Sequence, residues 1–120
     1  MPVETTLFVP KTNGTSWKEV RGADSTAHSH AERRVFDEVT HANETFFLLV
    51  QNAAPCGQCN TWLSNKSKGG RIIVVRYTAA HGGYGNAQGG IEFFHNGNHV
   101  GGTRPNALPV ALFNNINNHL

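Results

Sequence analysis

Residues 44–59, ETFFLLVQNAAPCGQC, decide how this chain folds. The first half, 44–51, is an unbroken apolar run of strand length, and such continuity fits a central strand covered on both faces. Ala53-Ala54-Pro55 breaks the run, and residues 56 to about 65 read as a short helix. A turn over 66–70 leads into 71–78, RIIVVRYT, a second buried strand. Strand, helix and strand in that order predict an α/β fold built on one sheet.

On the N-terminal side, 6–10 (TLFVP) and 15–20 (TSWKEV) read as short strands joined through Asn13-Gly14, two residues that tolerate positive φ. Residues 21–29 are polar and aperiodic, a loop. From His30 to about Ala42, Ala31, Val35, Phe36 and Val39 recur at helical spacing, with Ser29 at the N-cap position. On the C-terminal side, 79–90 is a Gly-rich connection without helical pattern. The segment 91–95 is a strand, Asn96-Gly97 a hairpin turn and 99–103 its partner; the tail from Pro105 carries a short apolar stretch, 108–113. A parallel neighbour to 71–78 would need a crossover, usually a helix. Lacking one, 71–78 and 91–95 are expected to pair antiparallel. The expectation is two helices, 30–42 and 56–65, packed on a mixed sheet.

The 120 residues suit one domain, 1–120, and hydrophobic content of 38% with seven Phe and two Trp supplies a modest core. A formal charge of +2 permits a nucleic-acid partner without demanding one. No apolar run is long enough to span a bilayer and nothing reads as a signal peptide, so no membrane partner is expected. The two cysteines, Cys56 and Cys59, are too close to close a long loop, which leaves metal binding or thiol redox chemistry.

Two segments carry chemistry: His30-Ala31-Glu32 and Pro55-Cys56-Gly57-Gln58-Cys59, each at the start of a predicted helix. Cysteines three apart share one helical face and can grip one ion, and a helix N-terminus favours their thiolate form. His30 adds a third, neutral ligand. Three protein ligands plus a water make a catalytic zinc, whereas a structural zinc is closed by four. Zinc brings the pKa of its water from about 16 toward roughly 7. Glu32, two residues from His30, is placed to move the proton without ligating the metal. His-x-Glu followed by Pro-Cys-x-x-Cys is the signature of zinc-dependent base deaminases.

On these two motifs the chain resembles the cytidine deaminase-like superfamily, and the order of elements over residues 6–103 is similar to that family's core. The resemblance implies His30, Cys56 and Cys59 as zinc ligands and Glu32 as proton shuttle. It also implies backbone around Ala31 and Ala54 holding the edge of the base. Small size, a Gly/Asn-rich second half and the antiparallel end look most like the toxin domains of bacterial polymorphic toxins. A departure is the absence of an N-terminal helix ahead of the first strand, which some members have. The function implied is hydrolytic deamination of cytosine to uracil in nucleic acid, with DNA, single- or double-stranded, favoured over RNA. Such a domain is delivered within a larger toxin, acts in the cytoplasm of a target cell and is blocked by a cognate immunity protein.

Blander readings stand beside these. Ser29 and Glu32 also match a capping box. The CxxC alone fits a thioredoxin-like pair, which leaves His30 and Glu32 unexplained. A structural zinc would need a fourth ligand from His28, His81 or His95. His28 and Tyr84 are carried as candidate substrate contacts, against a plain loop reading for His28. Phe93 and Phe94 point to opposite faces; one is expected to be buried, and for the other a stacking contact with a base is weighed against a plain structural role, which is favoured. Arg33, Arg34, Lys66, Lys68, Arg71 and Arg76 are a basic set for phosphate contact or for plain solvation. Trp17 reads as core, and His41, His99 and His119 as surface. The alternative functions are a free-nucleoside deaminase of pyrimidine salvage and a zinc-stabilised, non-catalytic interaction domain.

Overall fold

Alternation of buried side chains along neighbouring strands produces a sheet with two apolar faces. The computed structural model describes residues 4–24, 45–55, 57–80, 83 and 85–116, and for 21–24 the backbone alone. The elements are β1 (Glu4–Pro10), β2 (Trp17–Asp24), β3 (Phe46–Gln51), α1 (Gly57–Lys66), β4 (Ile72–Tyr77), β5 (Gly90–His95), β6 (Asn98–Gly101) and α2 (Val110–Asn114). The six strands form one mixed sheet in the order β2-β1-β3-β4-β5-β6. β3 and β4 are parallel, Phe46 opposite Ile72 through Gln51 opposite Tyr77, and the other pairings are antiparallel. The expected antiparallel pairing of the fourth and fifth strands is observed, Tyr77 opposite Gly90 through Ile72 opposite His95.

A parallel pair needs a crossover, and α1 supplies it between β3 and β4. One face of the sheet presents Leu7, Val9, Phe47, Leu49, Ile73, Val75, Tyr77 and Phe94, covered by Leu63 of α1 with Trp62 packed beside it. The other presents Phe8, Trp17, Leu48, Ile72, Val74 and Phe93, covered by Leu108, Leu112 and Ile116. Both faces of β3 and β4 are therefore dry, which is why their sequences do not alternate.

Three expectations are corrected. β2 does not end near residue 20 but runs to Asp24, because β1 starts at Glu4 and offers it partners past a register shift at Leu7/Phe8. The tail is more than an apolar stretch: Leu108, Leu112 and Ile116, four apart, lie on one side of a segment containing α2 and close the second face. With that face closed, Phe93 and Phe94 are both fully buried, one in each core, and neither is open to stack on a base. The expected helix over 30–42 lies outside the described residues.

The tail is also pinned by polar contacts. Trp17, 1% exposed, donates its indole N–H to the Leu112 carbonyl at 2.8 Å, and the Asn115 amide donates to Thr15 O at 2.6 Å. At the far end, Asn96 (φ 50°) and Gly97 (φ 87°) make the tight β5–β6 turn. The Gly97 amide donates to the buried Ser67 hydroxyl just beyond α1, at 2.9 Å.

Trp17→Phe should lower unfolding free energy by about 1–3 kcal/mol, from the orphaned Leu112 carbonyl and the lost ring volume. Urea denaturation with an unchanged m-value would show this; a stability equal to the native chain would mean the tail is not anchored through Trp17.

Candidate functional site

β3 and β4 point the same way, and the chain leaves both at one edge of the sheet. α1 begins at that edge and returns the chain to the start of β4, so its first turn lies at the carboxyl ends of the parallel pair, the usual place for a site in such sheets. Cys59 occupies this first turn and is 1% exposed. The turn holds no acidic residue to offset the positive end of the helix.

Beneath it runs a single rung of the sheet: Thr5, Gln51, Tyr77 and Gly90, paired in turn across β1, β3, β4 and β5. Gln51 is 3% exposed, so its amide must find partners inside the protein. The Thr5 hydroxyl donates to Gln51 Oε1 at 2.9 Å, and Gln51 Nε2 donates to Ala53 O at 2.9 Å. That brace sets the path of the chain into Ala54 and Pro55, both buried, and so toward the cysteine pair. The Ala54 amide donates to Ala79 O at 2.9 Å, tying the exit of β3 to the exit of β4.

Tyr77 organises the Gly-rich connection. Its ring is buried, and its hydroxyl accepts the Asn86 amide at 3.0 Å. At Gly85 and Gly90 the packing leaves no room for a side chain. A Cβ on Gly85 would stand 2.5 Å from the Ala54 Cβ and 2.9 Å from Tyr77 Cε2, and one on Gly90 would stand 2.7 Å from the Tyr77 hydroxyl. Gly85 also has φ +79°, a conformation strained for any other residue. Residues 85–90 are thus clamped over Ala54 and Tyr77 at the same edge as Cys59.

Of the residues expected in the site, the structure brings Cys59 and Ala54 to this edge. His28, His30, Ala31, Glu32, Cys56 and Tyr84 lie outside the described residues, as do Arg33, Arg34, His41, His81 and His119. Among the described residues no three His, Cys, Asp or Glu side chains gather as a metal site, Cys59 being the one described member of the expected quartet. His95 is removed from the possible fourth ligands. It pairs with Ile72 at the opposite end of β4, roughly 17–20 Å along the strand, with Nδ1 3.2 Å from Arg71 O. Of the basic set, Lys66 sits 5.3 Å from the centre of the Trp62 ring, and Arg76 Nη1 donates to the carbonyls of Tyr77 (2.8 Å) and Gly90 (2.9 Å). His99 is on the surface as expected, with its ring stacked on Phe94 at 4.6 Å.

The sequence reading missed Gln51, Tyr77 and Gly85 as the residues that build this edge. A signal was present for the last two: a tyrosine at a strand end followed by glycines at 85, 89 and 90.

On the α1 face, Glu92 carries the displaced titration. Burial raises its pKa above the ordinary carboxylate value, opposed by the lowering effect of His99, whose Nε2 lies 3.7 Å from Glu92 Oε1.

Compared with protein-family models, with curated proteins and with solved structures, the chain matches none.

Gly85→Ala should cost about 1–3 kcal/mol more than Gly14→Ala, which shares the positive φ but meets nothing within 4 Å. Adding Ala54→Gly should restore part of the loss, and a double-mutant cycle by urea unfolding measures the coupling. For Glu92 the sign follows from its raised pKa. Its contribution to stability is full below the ordinary carboxylate range and is lost as pH rises through the shifted value. Glu92→Gln should therefore gain melting temperature relative to the native chain as pH climbs from that range to neutrality. A constant difference across that span would show that Glu92 titrates normally.

Proposed function

We propose that this chain is a zinc-dependent deaminase that converts cytosine to uracil in nucleic acid, with a cytidine deaminase-like fold. The observation that carries the reading is the motif pair His30-Ala31-Glu32 and Pro55-Cys56-Gly57-Gln58-Cys59. Supporting it, Cys59 is buried in the first turn of α1 at the carboxyl edge of the parallel strands. The described order, hairpin, strand, helix, strand and an antiparallel fifth strand, is consistent with the order the resemblance implies, whose further helix between hairpin and strand falls outside the described residues.

The donor set fits zinc: one imidazole and two thiolates leave a position for water, and the described member, Cys59, lies at a helix start, whose positive end favours a negatively charged ligand. His30, Cys56 and Cys59 would hold the ion. When bound, zinc acts as a Lewis acid that makes water a nucleophile near neutral pH. Glu32 takes one proton from the attacking water and passes it to the pyrimidine ring nitrogen, then takes the second from the oxygen now on C4 and passes it to the departing amine. Oxygen bonds to C4, the C4–N bond breaks, and ammonia leaves. The Ala54 amide N–H donates to Ala79 O, which fixes the backbone that the resemblance places at the edge of the base.

Polymeric DNA is the substrate favoured by the toxin resemblance and permitted by the charge of +2. On the same resemblance the domain is delivered as part of a larger toxin into the cytoplasm of a target cell, and an immunity protein covers the site in the producer. No helix of the described residues is long and apolar enough to cross a membrane.

The test is deamination of single-stranded DNA, duplex DNA, RNA and free cytidine by the native chain and by Glu32→Ala, with zinc content measured on both. The expected result is uracil in a polymer, abolished by the substitution while zinc is retained. Turnover of free cytidine alone would assign the chain to nucleoside salvage. Absence of turnover with zinc bound would leave a zinc-stabilised interaction domain.

A further inference from the structure

On the face of the sheet away from α1, Arg76, Gly90, Ile91, Phe113, Asn114 and Ile116 line a half-open cavity of about 330 Å³. Arg76 is half-buried there, and its Nη1 is held by the Tyr77 and Gly90 carbonyls. Among the described residues no carboxylate pairs with it. A guanidinium fixed by carbonyls at one nitrogen and unmatched by an anion is a ready phosphate or carboxylate receptor. The rest of the lining is of a different kind: the Phe113 ring, two isoleucines, and the amide of Asn114, which is exposed. A cavity near the lower end of the roughly 300–1,000 Å³ range of small-molecule sites is larger than a bare inorganic anion needs. The lining asks for an anion joined to a flat, partly polar ring.

Its place in the fold supplies the rest. Val50, Arg76 and Ile91 pair across β3, β4 and β5 on the rung next to Gln51, Tyr77 and Gly90. Successive residues of a strand face opposite sides of the sheet. The cavity and the candidate site are therefore back to back at one edge, separated by a single layer of backbone that includes Gly90. A flexible strand crossing that edge reaches both.

We propose that the cavity is a subsite for a second nucleotide of the substrate strand, with its phosphate on Arg76 and its base against Phe113 and the Asn114 amide. This rests on the proposed nucleic-acid deaminase reading. It assigns the substrate as a single-stranded polynucleotide rather than a free nucleoside, since one nucleoside cannot occupy both faces. Stacking on an aromatic ring and a phosphate contact from arginine are the usual components of single-strand recognition.

The experiment measures binding of a fluorescein-labelled, single-stranded deoxyoligonucleotide containing one cytosine, by anisotropy over a salt series, alongside deamination of the same strand and of free cytidine. Asn114→Asp and Asn114→Lys change charge at an exposed lining residue without disturbing the core. The aspartate should weaken the dissociation constant about fivefold and the lysine tighten it about as much, the effect of one unit charge beside a phosphate in water. Arg76→Gln should reduce the salt slope by about one. Equal affinity and slope in all three variants, while the native chain still deaminates the strand, would overturn the subsite and leave the proposed function standing. Failure of the native chain to bind or deaminate the strand at all would overturn both. Because Arg76 also holds two carbonyls, the Asn114 pair decides the matter if Arg76→Gln does not fold.

Discussion

The constraint on which the rest depends is the rung that joins Thr5, Gln51, Tyr77 and Gly90 across four strands. It is the last rung of the parallel β3–β4 pair, so two chain exits and the start of the crossover helix converge on it. Each member acts on that convergence. Thr5 supplies the hydroxyl that satisfies Gln51; Gln51 holds the carbonyl of Ala53; Tyr77 accepts the amide of Asn86; Gly90 leaves room for the Tyr77 hydroxyl. An unpaired amide at the position of Gln51 would cost about 1–3 kcal/mol. The exit of β3 is thus held by a buried polar contact that has no slack.

Tight anchoring here suits a site whose parts come from different segments. Cys59 comes from a helix start, Ala54 from the link ahead of it, and residues 85–89 from a connection with no regular structure. None of these determines its own position. The Ala54 amide bonded to Ala79 O and the close packing of Gly85 on Ala54 and Tyr77 lock the two exits to one another. The support at this edge is thus fixed by packing and hydrogen bonds rather than by any one segment.

Much of this was legible in the sequence, for reasons that differ by element. β3 and β4 were legible because both faces are buried, which leaves apolar runs with no competing pattern. The β5–β6 turn was legible because Asn-Gly is one of the few pairs that adopts two positive φ angles in succession. The helix that carries Cys59 was legible from the break at Ala53-Ala54-Pro55 that ends the apolar run ahead of it. The extension of β2 to Asp24 was not, since residues 21–24 are strand only because β1 reaches back to Glu4 to pair with them. The burial of Phe93 was not either. What covers it comes from Leu108, Leu112 and Ile116, and a helix of five residues is too short to announce itself by periodicity. Gln51 and Tyr77 look like ordinary strand ends in one dimension, and their role exists only once the partner strands are in place.

The same rung explains why polar chemistry gathers at this edge on both faces of the sheet. Along β4 the sequence Val75-Arg76-Tyr77 passes from pure core to a cation and a phenol within two residues. A sheet interior excludes such groups because their hydrogen bonds would go unmade; a sheet end tolerates them because the strand carbonyls there have lost their partners. Arg76 donates to two carbonyls at that end, those of Tyr77 and Gly90. In doing so it closes the ladder and leaves a fixed charge on the face away from α1, while Tyr77 orders the connection on the other. The termination of one parallel strand pair thus provides, from adjacent residues, both the organiser of the candidate site and a cation behind it. Glycine at position 90 permits this, since any side chain there would collide with the Tyr77 hydroxyl.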